Sequence, residues 1–284
     1  MDIFLLEAAI NGLLLAGVLA LLTLGLNLIF GVIDVVWIAY ADLVMCGMYV
    51  VYWLFAVSGW PLPLAFAASV LGVAVLGVLV HLLIIAPILS SAPINQLLAT
   101  GGLLYFLQSF ATLLFTTDFR NIGVRLPIIE IGGIYISYSR LLAFGVALVG
   151  ATALYLFLKR TYIGTAIRAI AQDREIIGLM GVDQRRIYLV TSAIGGALAG
   201  LGACLLALQY DVHPFIGNTF GPLIFMICVL GGLGNMIGGF VAAFIISQII
   251  AIGGYYFSTE LSYVLAFMLF IVLMFIRPQG IVRR

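Results

Sequence analysis

Charge is scarce in this 284-residue chain: Asp, Glu, Lys and Arg together make up 8% of it, against a hydrophobic share of 65%. A soluble domain carries about 25% charged residues, so there is too little polar surface here to cover a globule in water. No charged residue occurs between Asp42 and Asp118 or between Asp211 and Glu260. A spanning helix needs about 20 apolar residues, so each gap holds more than one span. The single lysine, Lys159, follows Leu158, which excludes a G-x-x-x-x-G-K-[ST] phosphate-binding loop. Any ATP hydrolysis that drives this chain must occur in another subunit. The two histidines, His81 and His213, have no Cys or carboxylate at ligand spacing, so neither a metal site, a cofactor site nor a catalytic constellation is expected. Cys46, Cys204 and Cys228 sit in apolar runs and read as small buried hydrophobes rather than a disulfide framework. A net charge of +1 without a basic tail gives no footprint for nucleic acid.

What is present is a succession of long apolar segments, at about 8–33, 41–57, 62–86, 95–117, 138–158, 187–208, 219–254 and 261–276. They predict an all-α polytopic membrane protein of eight or nine spans in one domain, 1–284. Alternating β-barrel strands are not visible. Met1-Asp2-Ile3 with Glu7 lacks the positive start of a cleavable signal peptide, so the first segment is expected to be retained. The seventh segment is too long for one helix and is interrupted by Gly231, Gly232, Gly234 and Asn235, which predicts two pieces joined by a bend.

Half of the basic residues, Lys159, Arg160, Arg168, Arg174, Arg185 and Arg186, lie in one stretch, 159–186. Short basic loops stay in the cytoplasm. With the seventh segment split, four crossings separate this loop from Arg277, Arg283 and Arg284, which makes the C-terminus cytoplasmic and the N-terminus external. Within the loop, Gly164-Thr165 offers a turn and an N-cap, and Ile167, Ile170, Ala171 and Ile177 form an apolar stripe. Arg168, Gln172 and Glu175 occupy another face, and Asp183 can cap the next span. Such a helix can dock into a groove on a partner, or lie on lipid headgroups.

Near the end of the first span, glycines precede Asp34, Trp37, Tyr40 and Asp42. Two Gly-interrupted segments in opposite halves point to a translocation site near mid-membrane, while glycines also let helices pack closely. Asp34 and Asp42 are either polar elements of a substrate path or connector residues near headgroups. Trp37 and Tyr40 share a face if their stretch is helical, and are candidates for the path or for an interfacial aromatic belt.

Three motifs in order resemble those of branched-chain amino acid ABC importer permeases, and the related urea and amide importer permeases. Gly164-Thr165-Ala166-Ile167-Arg168-Ala169-Ile170-Ala171-Gln172-Asp173, followed by Leu179-Met180-Gly181-Val182-Asp183, resembles the family's cytoplasmic loop, G-R-A-x-R-A-x-A-x-D then L-x-G-[IV]-[ND]. The run 230–239 resembles L-G-G-x-G-[SN]-x-x-G, and Arg277-Pro278-Gln279-Gly280 resembles R-P-x-G. The resemblance implies a substrate-translocating subunit in the bacterial inner membrane, paired with a second homologous permease. Two cytoplasmic ATPases and an extracytoplasmic binding protein would complete the importer. It assigns ATPase coupling to Gly164, Thr165, Arg168, Asp173, Gly181 and Asp183, although Thr165 stands where the family has Arg. It makes Trp37, Tyr40, Asp42, Gly231, Gly232, Gly234 and Asn235 candidates for the substrate pathway. The resemblance implies import of branched-chain or hydrophobic amino acids or related small organic solutes; Trp37 stands where the family has Asn and Tyr40 where it has His, so if this segment lines the path an aromatic acid, a bulkier amino acid, or an amide or urea-like solute is the alternative to a branched-chain amino acid. A carrier driven by an ion gradient without ATPases is the rival reading, with Asp42, Glu130 and Asp211 as its only candidate acids.

Overall fold

The computed structural model describes residues 3–124, 127–131, 133–173, 182–277 and 280–281. In chain order its helices are α1 (Ile3–Ile33), α2 (Tyr40–Val57), α3 (Leu62–Ile88), α4 (Pro93–Phe115), α5 (Tyr138–Arg160), α6 (Tyr162–Gln172), α7 (Gln184–Ala207), α8 (Ile216–Gly231), α9 (Met236–Tyr256) and α10 (Thr259–Ile276). Eight of them are long and apolar enough to cross a membrane, and α8 is a shorter apolar helix. The long seventh segment is indeed two helices, α8 and α9, joined at Gly232–Asn235. A small antiparallel hairpin, β1 (Ile128–Ile131) and β2 (Ile134–Ser137), pairs Ile128 with Ser137 and Ile131 with Ile134. It was not anticipated, because it belongs to the connector between α4 and α5 and contributes nothing to the spans.

Helix α1 is apolar all round because protein surrounds it: it packs against α5, α7, α8 and α9, and almost everything from Leu14 to Ile33 is buried. Helix α10, by contrast, buries only Ser262 and Ala266 fully and shows its apolar side chains to the outside, as a lipid-facing helix does. Helices α3 and α7 meet backbone to backbone. A Cβ on Gly196 would lie 2.6 Å from the Val73 carbonyl oxygen, and one on Gly200 would lie 2.9 Å from Val70 Cα. Small residues spaced four apart permit that approach where lipid supplies no hydrophobic drive.

Prolines start helices rather than breaking them at Pro61–Pro63 and Pro93. Pro87, inside α3, is reached through a π-helical turn, His81–Ile85, in which the Ala86 N–H donates to the His81 carbonyl. The widened turn accommodates a residue that has no N–H and would crowd the carbonyl four positions back.

Two ends of the bundle follow from cross-contacts. At one, the Arg120 and Val212 backbones exchange hydrogen bonds of 2.9 and 2.7 Å, Asn121 donates to Asp211, and Arg140 reaches Asn11. At the other, the end of α1, helix α6 and the α8–α9 turn line one cleft. The Ile281 N–H donates to the Leu230 carbonyl there.

Candidate functional site

After α1 the chain leaves helical geometry for six residues, 34–39. Asp34 turns it with φ +60, a conformation that Asp tolerates better than most side chains, and it is exposed. Trp37 is therefore not on a helix with Tyr40, which opens α2. Their rings still meet edge to face, with centroids 6.4 Å apart. Both are 1% exposed, which removes them from an interfacial belt. Thr100 of α4 donates to the Val36 carbonyl, and the Tyr40 hydroxyl donates to the Gly195 carbonyl of α7 at 3.1 Å. These bonds pin the irregular segment against two helices and give part of its backbone a partner inside the bundle.

Trp37 and Tyr40 line a cavity of about 330 Å³ between the 34–41 segment, α4 and α8. Leu26, Leu104, Pro222 and Ile224 complete its apolar wall, and Leu97, Asn218 and Phe225 form a more exposed rim. Asp42 lies immediately behind this wall, buried, at the start of α8: a Cβ on Gly217 would fall 2.6 Å from its Oδ1. Gln108 Nε2 donates to Asp42 Oδ1 at 3.0 Å and to Asn218 Oδ1 at 2.9 Å. Asp42 Oδ2 and the Trp37 indole N–H are buried without a hydrogen-bond partner.

Gly231, Gly232, Gly234 and Asn235 lie elsewhere. Gly232 and Gly234 have φ of +95 and +76, which only glycine adopts without strain. Asn235 caps α9 by accepting from the Gly238 N–H at 3.0 Å. Asn27 of α1 clasps this turn: its Oδ1 accepts from the Gly234 N–H at 3.1 Å and from Cys228 Sγ at 2.8 Å, and its Nδ2 donates to the Asn235 carbonyl. None of these glycines lines the cavity beside Trp37.

Helix α6 is capped by Thr161, whose hydroxyl accepts from the Gly164 N–H at 2.9 Å, and not by Thr165, which sits one turn inside. The expected cap was misplaced because Gly164 marks a close approach rather than a turn: a Cβ there would meet the Phe157 carbonyl and Leu158 of α5. Ala166, Ile167 and Ile170 are buried, while Thr165, Arg168 and Gln172 face outward. Asp173 ends the helix and is exposed. Gly181, like Glu175 and Ile177, falls outside the described residues. Asp183 accepts from the Arg185 and Arg186 N–H groups and caps α7, as its position before that span suggested.

The family profile described as branched-chain amino acid transport system, permease component, matches residues 8–274. The chain belongs to this permease family. Similar permeases include BraD of Pseudomonas aeruginosa, a high-affinity branched-chain amino acid transport system permease protein 31% identical over 98% of this chain and 96% of that protein. LivH of Escherichia coli, named as a permease of the same kind of system, is 28% identical over 99% of this chain and 96% of its own length. No solved structure matches the chain.

As a multi-pass permease, the protein uses polar residues sparingly in its spans, and three of the informative ones escaped the reading of the sequence. Asn27, Gln108 and Asn218 make the interhelical bonds just described. A signal existed for Gln108: it stands within the charge-free run between Asp42 and Asp118, where a buried amide requires a partner on another helix.

Proposed function

We propose that this permease is the translocating subunit of a binding-protein-dependent ABC importer for amino acids or related small organic solutes with an apolar body. In this reading it pairs with a second homologous permease, receives solute from an extracytoplasmic binding protein at the Arg120–Val212 end, and is driven by two cytoplasmic ATPases gripping α6. The observation that carries it is the two-faced character of α6. Its apolar stripe is packed onto the bundle while Thr165, Arg168 and Gln172 are exposed on the opposite face. A rigid helix held in this way transmits movement because packed interfaces switch between discrete arrangements. The basic residues Lys159, Arg160, Arg168, Arg185 and Arg186 favour the cytoplasm for this end, and the N-terminus then lies outside.

Trp37, Tyr40 and Asp42 border the solute path on this proposal, and the glycine turn with Asn235 serves as the joint on which α8 and α9 move. The test is reconstitution with the ATPase and binding-protein subunits. Arg168→Glu reverses the charge at the proposed docking surface and is expected to lower ATP-driven uptake about tenfold or more while membrane insertion is unchanged. Uptake by the chain alone on an ion gradient, with no need for ATP, would favour the carrier instead.

A further inference from the structure

A second cavity, of about 600 Å³, opens at the Arg120–Val212 end of the bundle and shares no residue with the one beside Trp37. Helix ends build its wall: Glu7 and Asn11 near the start of α1, Arg140 in the first turn of α5, Tyr255 in the last turn of α9 and Thr259 opening α10. Spanning helices end where hydrocarbon gives way to headgroups, so the cavity stands at headgroup level. Tyrosines gather at that level, with an apolar ring and a polar tip, and Tyr135, Tyr210 and Tyr255 all line this space.

The cavity is a dead end. A Cβ on Gly12 would lie 2.7 Å from Ala251 Cβ, and Gln248 Nε2 donates to the Ala9 carbonyl at 3.0 Å, which closes the seam between α1 and α9. A Cβ on Gly17 would lie 2.6 Å from the Phe144 ring, which closes the seam between α1 and α5. A solute bound for the other side gains no way inward here. On the outer side Phe4 and Tyr255 are exposed, and Thr259 begins α10, the helix that shows its apolar side chains to lipid.

Two charges of opposite sign belong to the wall. Arg140 is the only Lys, Arg or His there, and one guanidinium nitrogen donates to Asn11 Oδ1 at 2.8 Å. That bond orients the guanidinium and leaves its remaining N–H groups for a second acceptor. Glu7 lines the same cavity yet has no ion-pair partner among the described residues. Both side chains belong to half-buried residues, where an unpaired charge costs more than at an open surface. The surroundings add negative charge, since Glu130 is the cross-strand partner of Tyr135 and Glu260 follows Thr259.

We propose that this cavity holds a zwitterionic phospholipid headgroup of the phosphoethanolamine type, its phosphate on Arg140 and its ammonium on Glu7, with the acyl chains outside along Phe4 and α10. The planar fork of Arg matches two phosphate oxygens. A primary ammonium donates to Glu7, whereas a quaternary one has no N–H to give. A headgroup of net negative charge would meet Glu7, Glu130 and Glu260 with Arg140 alone to offset them. The bound lipid ties the starts of α1, α5 and α10 together, whatever solute the permease carries.

Native mass spectrometry of the full chain, released from detergent micelles after lipid titration, tests this with phosphatidylethanolamine, phosphatidylglycerol and phosphatidylcholine of identical acyl chains. The ethanolamine lipid is expected to be retained about tenfold more tightly than either of the others. Glu7→Gln, at a position without an ion-pair partner, is expected to erase its advantage over phosphatidylcholine. Glu7→Lys is expected to turn the order round in favour of phosphatidylglycerol, a reversal that loosening of the bundle does not produce. Arg140→Gln is expected to weaken all three, since each presents a phosphate. Soluble glycerophosphoethanolamine is expected to displace the lipid only in large excess, because it lacks the apolar chains. Equal retention of the three lipids, or an ethanolamine preference that survives Glu7→Gln, overturns the proposal. Displacement of the lipid by free leucine, or by glycerophosphoethanolamine at matched concentration, overturns it too, by making the cavity a site for a soluble ligand.

Discussion

Asn27 satisfies three groups at once, and the cost of removing it follows from what it leaves behind. The Gly234 N–H loses its side-chain partner, while the Asn235 carbonyl keeps the Gly239 N–H. An unsatisfied buried group costs about 1–3 kcal/mol, so Asn27→Leu is expected to lower the unfolding temperature clearly. A thermal shift assay in detergent checks this. Asp183 differs: its ion pair with Arg186 is largely exposed and contributes little, but its cap on α7 contributes about 1 kcal/mol. Asp183→Ala is expected to cost about that much and Asp183→Asn almost nothing, by the same assay. At the opposite end, partial burial holds the His213 imidazole below its ordinary pKa, with Asp211 pulling the other way, and its ring packs 4.6 Å from Phe119. The unfolded chain then binds more protons as pH falls. Contacts at this end should weaken below about pH 6.5, seen as faster hydrogen exchange around residues 116–124 and 209–215. Residues of this kind were only partly legible in the sequence. The Asp183 cap can be read from its place before an apolar run, because capping is local. Asn27 and Asn218 could not, because their partners lie on other helices.

Among the elements, the spans were the most legible part of the molecule. Helical length in a membrane is set by bilayer thickness, and backbone groups there must be paired within the helix. The split between α8 and α9 was readable for the same reason, since clustered glycines are the one cheap interruption. The break at 34–39 was readable as well, since the spans expected at about 8–33 and 41–57 leave it between them, but what holds it open, Thr100 on α4 and Gly195 on α7, was not. The Thr161 cap was obscured by Gly164, a turn-like residue used instead for contact with α5. The α3–α7 seam gives a prediction of its own. Gly200→Leu puts a side chain where Val70 Cα and the Ser69 carbonyl already stand. Overpacking of this sort costs about 1–3 kcal/mol or more, so the variant is expected to lose folded protein on size-exclusion chromatography while Gly72→Leu, which meets open space, does not.

For the whole molecule, membership of the permease family was legible because the glycine turn and the Arg168 helix are local signatures carried in short motifs. The proposed sidedness leads to a simple expectation. A single cysteine at Thr165 should react with impermeant reagents only in inside-out vesicles, and one at Gly123 only in right-side-out vesicles, with Cys46, Cys204 and Cys228 replaced by alanine or serine. The reverse pattern would turn the protein over and leave the importer reading without its motor surface. One further consequence comes from the place of α1 at the centre of the bundle. Translation delivers this helix well before its partners: the residues that grip Asn27 are 201 to 208 positions downstream. During synthesis α1 must wait, with its amide unmet, until the start of α9 emerges. A ribosome stalled before Gly231 would therefore leave α1 as a substrate for membrane proteases, and release beyond Tyr256 would shelter it.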